Sequence, residues 1–228
     1  MDKSFTETYL NFDKVDWAKM QTSTVDTLYM SIVSMVVVFV LGILLGLLLY
    51  SLGRKKSAGY QILYNVVSII SNIFRSTPFM ILMVLIIPFT KTLVGSMIGA
   101  SAALPALILS AVPFYARLVE IAFREVSSGV IEAANAMGAN YWQIIYKILV
   151  PESMPALVSG FTVTSVSMIG FTAMAGAIGA GGLGSLAWSE GFQLGNQTVT
   201  LVATVIMLLI VFVVQGLGDY FTQKLDKR

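Results

Sequence analysis

Apolar residues along this chain form long runs that contain no charged side chain. Four such runs cover residues 28–50, 92–116, 153–189 and 191–218. A helix needs about 20 apolar residues to cross the hydrocarbon core of a bilayer, because each residue advances it by only ~1.5 Å. The pattern therefore predicts an all-α membrane protein with one span in each run. We place these spans at residues 28–50, 93–116, 156–178 and 198–218.

A further apolar region, residues 57–90, is interrupted by Arg75, Pro78 and Pro88 and brings the number of spans to about five. It fits either one long tilted helix or an interfacial helix that turns into a shorter span near Arg75. Pro78 favours a helix start at that turn, because proline suits the first helical position. Arg75 is then either a residue of a translocation path, since charges inside membranes are costly and usually functional, or an interfacial arginine that reaches water.

The distribution of charge predicts which ends of the spans face the cytoplasm. Loops rich in Lys and Arg remain on the cytoplasmic side. The loop at 51–56, the break at 117–152 and the residues after 218 together hold nine basic residues, whereas the N-terminal segment up to Asp26 holds five acids and three lysines. We therefore expect the N-terminus outside and the C-terminus in the cytoplasm. The expected domains are an extracytoplasmic segment 1–27, a transmembrane domain 28–220 with loop 117–152, and a tail 221–228.

Composition excludes several classes of function. Only 11% of the residues are charged, against about 25% in soluble domains. Cysteine and histidine are both absent, which excludes disulfides and metal sites built from thiolates or imidazoles. The net charge of +2 is too small to indicate nucleic-acid binding. Because no P-loop and no nucleophile–base pair occur, we expect a non-enzymatic chain without a cofactor, and any ATP hydrolysis must come from a partner.

Three glycine patterns predict packing rather than nucleotide binding. The sequence GAGGLG at 179–184 matches G-x-G-x-x-G, but a dinucleotide site needs a preceding strand, and here an apolar span precedes it. We expect a tight turn and close helix packing instead. Gly42-x-x-x-Gly46 and Gly95-x-x-x-Gly99 predict close packing between helices, within one chain or between two copies.

The polar break at 117–152 has the pattern of two short helices. Residues 119–137 favour a helix with Glu120 and Arg124 one turn apart on an exposed face. Gly138 suits the positive φ that ends a helix, Asn140 suits the N-cap of a second helix, and Pro151 suits its end.

The pattern alone leaves two interpretations of this break. It is either an ordinary cytoplasmic loop that packs under its own helices or a docking element for another protein. Tyr141 and Trp142 would be the anchors of such an element, because aromatic side chains dominate many interfaces.

Residues 132–151, EAANAMGANYWQIIYKILVP, resemble the EAA motif of ABC-importer permeases. Glu132-Ala133-Ala134, Gly138, Ile148 and Pro151 stand at that family's spacing, with Val150 in place of the usual leucine. In these permeases the motif forms a coupling helix that inserts into the cytoplasmic ATP-binding subunit. The residues to which the resemblance assigns this ATPase coupling are Glu132, Ala133, Ala134, Gly138, Tyr141, Trp142, Ile145 and Pro151.

The segments 72–90, 111–126, 132–160 and 170–184 together resemble MetI-type permeases of methionine importers, over nearly all of residues 25–220. The resemblance implies a type I ABC-importer permease fold in the bacterial inner membrane and the import of L- or D-methionine. It also implies four partners: a second copy of the chain, a cytoplasmic ATP-binding subunit dimer, an extracytoplasmic methionine-binding protein and membrane lipid. A permease for another amino acid or a quaternary amine, and a stand-alone secondary carrier, remain alternatives.

The same resemblance assigns the translocation path to the span at 156–178. Met174 would be a gate residue between paired copies, with Met168 and Phe171 on the same helix and Arg75 from the preceding region. The simpler interpretation of the methionines is that they fill gaps in apolar packing.

Overall fold

The computed structural model describes residues 8–226, and within that range every regular element is helical. A 3₁₀ turn lies at Phe12–Lys14. The α-helices are α1 (Trp17–Gly53), α2 (Ala58–Ser76), α3 (Phe79–Leu85), α4 (Ile87–Val94), α5 (Ala100–Glu125), α6 (Ser128–Ala136), α7 (Tyr141–Ile144), α8 (Val150–Ala175), α9 (Gly182–Leu186) and α10 (Gln197–Leu225). Wider π-helical turns lie at Ile145–Leu149, Gly176–Ala180 and Ala187–Gln193. The parts of the predicted terminal segments at 1–7 and 227–228 lie outside the described residues.

Four helical stretches are long and apolar enough to cross a membrane. They are Trp17–Gly53, Ala100–Glu125, Tyr141–Ala180 and Gln197–Leu225. Helices α2 and α3 add a fifth if they are taken together as one span, and they are bent by 105°. The all-α prediction is confirmed. The region 57–90 is bent rather than one long helix, and Pro78 directly precedes α3 as expected.

The glycines Gly95 and Gly99 end one helix and precede the next, which corrects the predicted span at 93–116. Both have positive φ, 82° and 94°, a conformation that only glycine adopts without strain. Helix α4 therefore stops at Val94, and the span begins at Ala100. An added Cβ at either glycine would meet nothing within 4 Å, so this pair does not mediate helix packing within the chain.

The sequence predicts that Pro151 ends the second short helix of the polar break, but in the structure it does not. Helix α8 begins at Val150, so Pro151 lies in its first turn, where a missing N–H is tolerated. The π-helical turn Ile145–Leu149 directly before it is where the regular α pairing is interrupted. The predicted helix 119–137 is also divided, because α5 ends at Glu125 and α6 begins at Ser128.

The described residues form two compact units. The first comprises residues 8–37, 77–110 and 165–214. Its core is an apolar cluster of Val15, Met20, Leu183, Leu186, Val199 and Ala203. In this unit a Cβ at Gly176 would collide with the backbone of Gly184 and Ser185, and a Cβ at Gly184 would collide with the Ala173 backbone in α8. Gly179, Gly181 and Gly182 have positive φ. The prediction of a tight glycine turn with close packing is therefore confirmed.

The second unit comprises residues 38–76, 111–164 and 215–226, and Tyr115 lies at its centre. Tyr115 is fully buried, packs against the rings of Phe39 and Phe161, and donates a hydrogen bond of 3.3 Å to the Leu157 carbonyl. Gly42 faces the Tyr115 ring. The absence of a side chain at Gly42 therefore lets α1 approach α5, which confirms that the glycines of α1 serve packing within the chain.

Gly46→Ala is expected to lower the melting temperature by several degrees. An added Cβ would lie 2.7 Å from the Ala116 carbonyl oxygen, and overpacking of this kind costs about 1–3 kcal/mol. Thermal unfolding of the detergent-purified protein, followed by tryptophan fluorescence, measures the change. Gly216→Ala is the matched control, because a Cβ there meets nothing within 4 Å. Equal melting temperatures for the two variants would contradict the packing described above.

Candidate functional site

The polar break folds as a helix, a glycine turn and a second helix. Gly138 follows α6 with φ 82°, and its N–H donates to the Asn135 carbonyl over 2.9 Å. Asn140 then caps α7: its side-chain oxygen accepts from the Gln143 N–H at 2.9 Å. The Gln143 side chain accepts from the Asn140 N–H at 2.8 Å. This complete capping box fixes the angle at which the second helix leaves the turn.

Large apolar side chains project from this turn. Met137 is 82% exposed, Trp142 67% and Tyr141 54%. The Tyr141 and Trp142 rings meet edge to face with centroids 5.7 Å apart, and the Tyr141 hydroxyl lies 2.6 Å from the Ser51 hydroxyl at the end of α1. The aromatic pair is therefore exposed, and the contact between Tyr141 and Ser51 fixes its position relative to the end of α1. Clustered exposed apolar groups of this kind mark interaction surfaces.

The other residues predicted to couple to a partner divide between the two faces of this segment. Glu132, Ala133 and Pro151 are exposed. Ala134 and Ile145, by contrast, are buried, at 2% and 7% exposure. Ile145 was expected to fill a groove of a partner subunit, but the structure places it on the face that packs into its own unit. The contact surface is therefore narrower than the sequence predicted.

A buried carboxylate lies beside this loop, and the sequence had indicated an exposed one. Glu120 is 1% exposed. Its oxygens accept hydrogen bonds from the Arg117 guanidinium at 2.7 Å, the Arg124 guanidinium at 2.6 Å and the Tyr64 hydroxyl at 3.1 Å. A buried charge is tolerated only when it is paired in this way. The arginines three residues before and four residues after Glu120 were the signal for this arrangement.

The ion-pair group joins two helices of the second unit. Glu120, Arg117 and Arg124 all belong to α5, whereas Tyr64 belongs to α2. The Arg124 guanidinium also donates to the Tyr64 hydroxyl over 3.2 Å. The group therefore fixes α2 against α5, the helix that precedes the polar break.

The residues predicted to line a translocation path have different environments. Met168 is fully buried, whereas Met174 is 48% exposed. Phe171 stacks on Phe79 with ring centroids 5.0 Å apart and planes 13° apart. Arg75, in the other unit, is exposed near the end of α2. Met174 and Arg75 are thus available to a path, while Met168 is part of the packing of its own unit.

Acidic side chains are few at these sites. Among residues 8–226, no group of three or more Asp or Glu side chains is placed to hold a metal ion. The described carboxylate with the most partners, Glu120, is already neutralised by two arginines.

The sequence matches the family described as binding-protein-dependent transport system inner membrane component over residues 39–227. It is 53% identical over 217 residues to the methionine import system permease protein MetP of Bacillus subtilis, covering 95% of this chain and 98% of that relative. It is 42% identical over 212 residues to the probable D-methionine transport system permease protein MetI of Pasteurella multocida, covering 93% of this chain and 98% of that relative.

Solved structures give the same answer for the fold. A chain of the inward-facing MetNI methionine ABC transporter, in its CY5 native crystal form, matches with a TM-score of 0.87 and 42% identity. The match covers 91% of this chain and 96% of that one. A chain of an amino acid ABC transporter crystallised with histidines matches with a TM-score of 0.73 at 17% identity, which supports the fold alone.

The bent multi-span helical fold agrees with the family match over residues 39–227. The chain belongs to the family of inner membrane components of binding-protein-dependent transport systems, and it is a transport subunit rather than an enzyme.

Proposed function

We propose that this chain is the permease subunit of an ATP-driven importer of methionine, in its L form, its D form or both. The observation that carries the substrate is the 53% identity to a methionine import permease over 95% of the chain. A relative of that similarity that spans the whole chain makes methionine a better candidate than another amino acid or a quaternary amine.

The exposed aromatic turn supports a cytoplasmic docking role for residues 117–152. We assign the contact with an ATP-binding subunit to Glu132, Ala133, Gly138, Tyr141 and Trp142, all of which are exposed. Tyr141 and Trp142 supply rigid apolar area, and Gly138 with the capping box sets the direction of the turn. Ala134 acts from behind this surface, because it is buried. Pro151 is exposed and lies in the first turn of α8.

A second copy of the chain would complete the path. About five spans are few for enclosing an amino acid, and symmetric dimers are the commonest way in which membrane and soluble chains share a site. Helix α10 leaves most of its apolar surface uncovered, since only 11% of its most apolar window is buried. We assign Met174 to the gate between two copies, with Phe171 behind it and Arg75 as a polar element of the path. Membrane lipid covers the remaining apolar surface.

We propose alternating access as the mechanism and assign the described arrangement to the inward-facing state, because it matches a chain of the inward-facing MetNI transporter with a TM-score of 0.87. ATP binding closes the two ATPase subunits and moves the docked turns of the two permeases. The helices that carry Met174 then open the path to the outside, where a methionine-binding protein delivers its substrate. ATP hydrolysis returns the permeases to the inward-facing state.

The orientation follows from the positive residues on the side of loop 117–152. We place the segment 1–27 and the glycine turn near residue 180 outside, in contact with the binding protein. The transmembrane domain 28–220 and the tail 221–228 complete the chain, and the tail lies in the cytoplasm.

Reconstitution tests the function directly. The permease and its ATPase are reconstituted in liposomes with the ATPase facing the lumen, and the binding protein is added outside. These liposomes are expected to accumulate labelled methionine only when ATP is enclosed in the lumen. An excess of unlabelled methionine should abolish uptake, whereas histidine or glycine betaine should not. Uptake by the permease alone, without an ATPase, would indicate a secondary carrier and contradict the proposal.

Two substitutions in the docking turn are expected to uncouple transport from ATP. Gly138→Glu strains a position with φ 82°, and Trp142→Ala removes an anchor that is 67% exposed. Anchor residues of this kind often contribute about 2 kcal/mol or more to an interface, so co-purification of the ATPase should fall at least tenfold. Trp17→Ala, at a tryptophan that is 56% exposed in another unit, is the control and should retain the ATPase. Normal uptake by Trp142→Ala would contradict the assignment.

Alanine substitutions distinguish the two methionines of α8. Met168→Ala is expected to lower stability by about 2–5 kcal/mol, because it empties a buried site. Met174→Ala should leave the melting temperature nearly unchanged, because this side chain is 48% exposed, and should alter uptake. Thermal unfolding and the KM for methionine uptake measure the two effects. A large loss of stability in Met174→Ala with normal uptake kinetics would remove it from the gate.

A further inference from the structure

The first described residues of the chain contact the glycine turn near residue 180, which is distant from them in sequence. We call residues 8–27, which include the start of α1 at Trp17, the N-terminal strap. Residues 176–196 are called the glycine segment. Lys19 forms an ion pair of 2.8 Å with Glu190, and the Asn196 side chain donates to the Lys14 carbonyl over 3.0 Å. Two strap residues, Val15 and Met20, belong to the apolar cluster that also contains Leu183, Leu186, Val199 and Ala203.

Thr27 makes the most buried of these contacts. Its hydroxyl oxygen accepts a hydrogen bond of 2.9 Å from the Leu183 N–H while it donates to the Ser23 carbonyl over 3.0 Å. Thr27 is 2% exposed and Leu183 is fully buried. Loss of this acceptor would leave a buried N–H unpaired, which costs far more than the loss of an exposed bond.

The glycines of the segment make room for Thr27. Gly182 has φ 77°, and a Cβ there would lie 2.7 Å from the Thr27 hydroxyl oxygen and 3.0 Å from the end of Met30. The backbone of the glycine segment therefore rests directly on the strap. A residue with a side chain could not take the place of Gly182 without moving one of the two.

The glycine segment begins at the residue after α8. Met174 lies in the last turn of α8, and the π-helical turn Gly176–Ala180 that follows is kinked at Gly179. The segment then packs back on the end of α8, since a Cβ at Gly184 would collide with the Ala173 backbone. All of these residues belong to the same compact unit as the strap. A contact that fixes the glycine segment therefore also fixes the end of the helix that carries the proposed gate.

We infer that Thr27 and Lys19 are positioning residues that hold the glycine segment, and with it the Met174 end of α8, in the inward-facing arrangement. The inference rests on the proposed function, since it names residues that set the balance between its two states. The strap stabilises the state in which its contacts are formed. Weakening it favours the outward-facing state with its closed ATPase dimer, so ATP is hydrolysed without delivery of substrate.

The variants that test the inference remove one contact at a time. Thr27→Val keeps the shape of the side chain but removes the hydroxyl, and Thr27→Ser restores the hydroxyl. Thr24→Val is the matched control, because the Thr24 hydroxyl donates only within its own helix, to the Met20 carbonyl at 2.8 Å. Lys19→Glu breaks the ion pair, and Lys19→Glu with Glu190→Lys exchanges the charges. Lys91→Glu makes the same charge change at a lysine of α4, outside the strap.

Two measurements are made on every variant. Hydrogen exchange of residues 176–196 in the purified permease reports on the strap without any need for transport. ATP hydrolysis by the reconstituted complex, with and without the binding protein and methionine, reports on coupling. If the unmodified complex shows no hydrolysis stimulated by methionine, the proposed function is wrong, while the exchange data still test the strap.

Thr27→Val is expected to raise both exchange in the glycine segment and ATP hydrolysis without the binding protein, by about fivefold or more, as for a buried N–H that loses its acceptor. Lys19→Glu should raise them by about two- to fivefold, as for a partly exposed ion pair. Thr27→Ser and the charge exchange should return both values to those of the unmodified protein.

The inference is overturned if Thr27→Val behaves like Thr24→Val in either measurement, or if the charge exchange fails to reverse the effect of Lys19→Glu. Should Thr27→Val fail to insert in the membrane, the Lys19 and Glu190 variants decide the outcome, because Lys19 lies at the surface and tolerates exchange. An equal rise in Lys91→Glu would also overturn it, since the effect would then follow charge alone.

Discussion

Backbone hydrogen bonding in an apolar environment is the constraint on which the structure depends. A buried N–H or C=O without a partner costs several kcal/mol in lipid, roughly as much as many side-chain contacts contribute together. The chain meets this constraint by forming helices through nearly all of residues 8–226. At the end of a helix the last N–H and C=O groups have no partner within the helix, and the sequence places glycine or proline there. Gly95, Gly138 and Gly181 adopt positive φ, and Pro78 precedes α3. The turns that carry the candidate functions are all built at such interruptions.

Much of the fold could be predicted because backbone hydrogen bonding in helices and turns joins residues that are close in sequence. Charge-free runs of the right length gave the spans, Pro78 gave the bend after α2, and Gly138 with Asn140 gave the docking turn. The residues that determine each of these features lie within a few positions of one another, so the sequence is sufficient to predict them. The element boundaries did not follow in the same way: the spacing of Gly95 and Gly99 indicates packing residues, whereas in the structure both have positive φ and form a turn between two helices.

The errors concern residues whose environment is set by distant parts of the chain. Ile145 belongs to an amphipathic helix, and nothing nearby in sequence says which of its faces turns inward. Glu120 is buried because Tyr64, 56 positions away, completes its hydrogen bonding. The strap contact between Thr27 and Leu183 joins residues 156 positions apart. The arginines near Glu120 are a local sign that its charge can be paired, but the sequence offers no local sign of Tyr64 or of the contact between Thr27 and Leu183, which only the folded chain reveals.

The buried carboxylate of Glu120 has a consequence for how this protein can change over time. Only Glu120 is withdrawn from water, since the side chains of Arg117 and Arg124 are 42% and 49% exposed. Loss of one arginine therefore leaves the carboxylate paired with the other, whereas loss of both leaves a buried charge without a counter-ion, which is strongly destabilising. Either arginine can thus change alone as long as its neighbour remains. A descendant that has lost both arginines is expected to have lost the carboxylate of Glu120 as well.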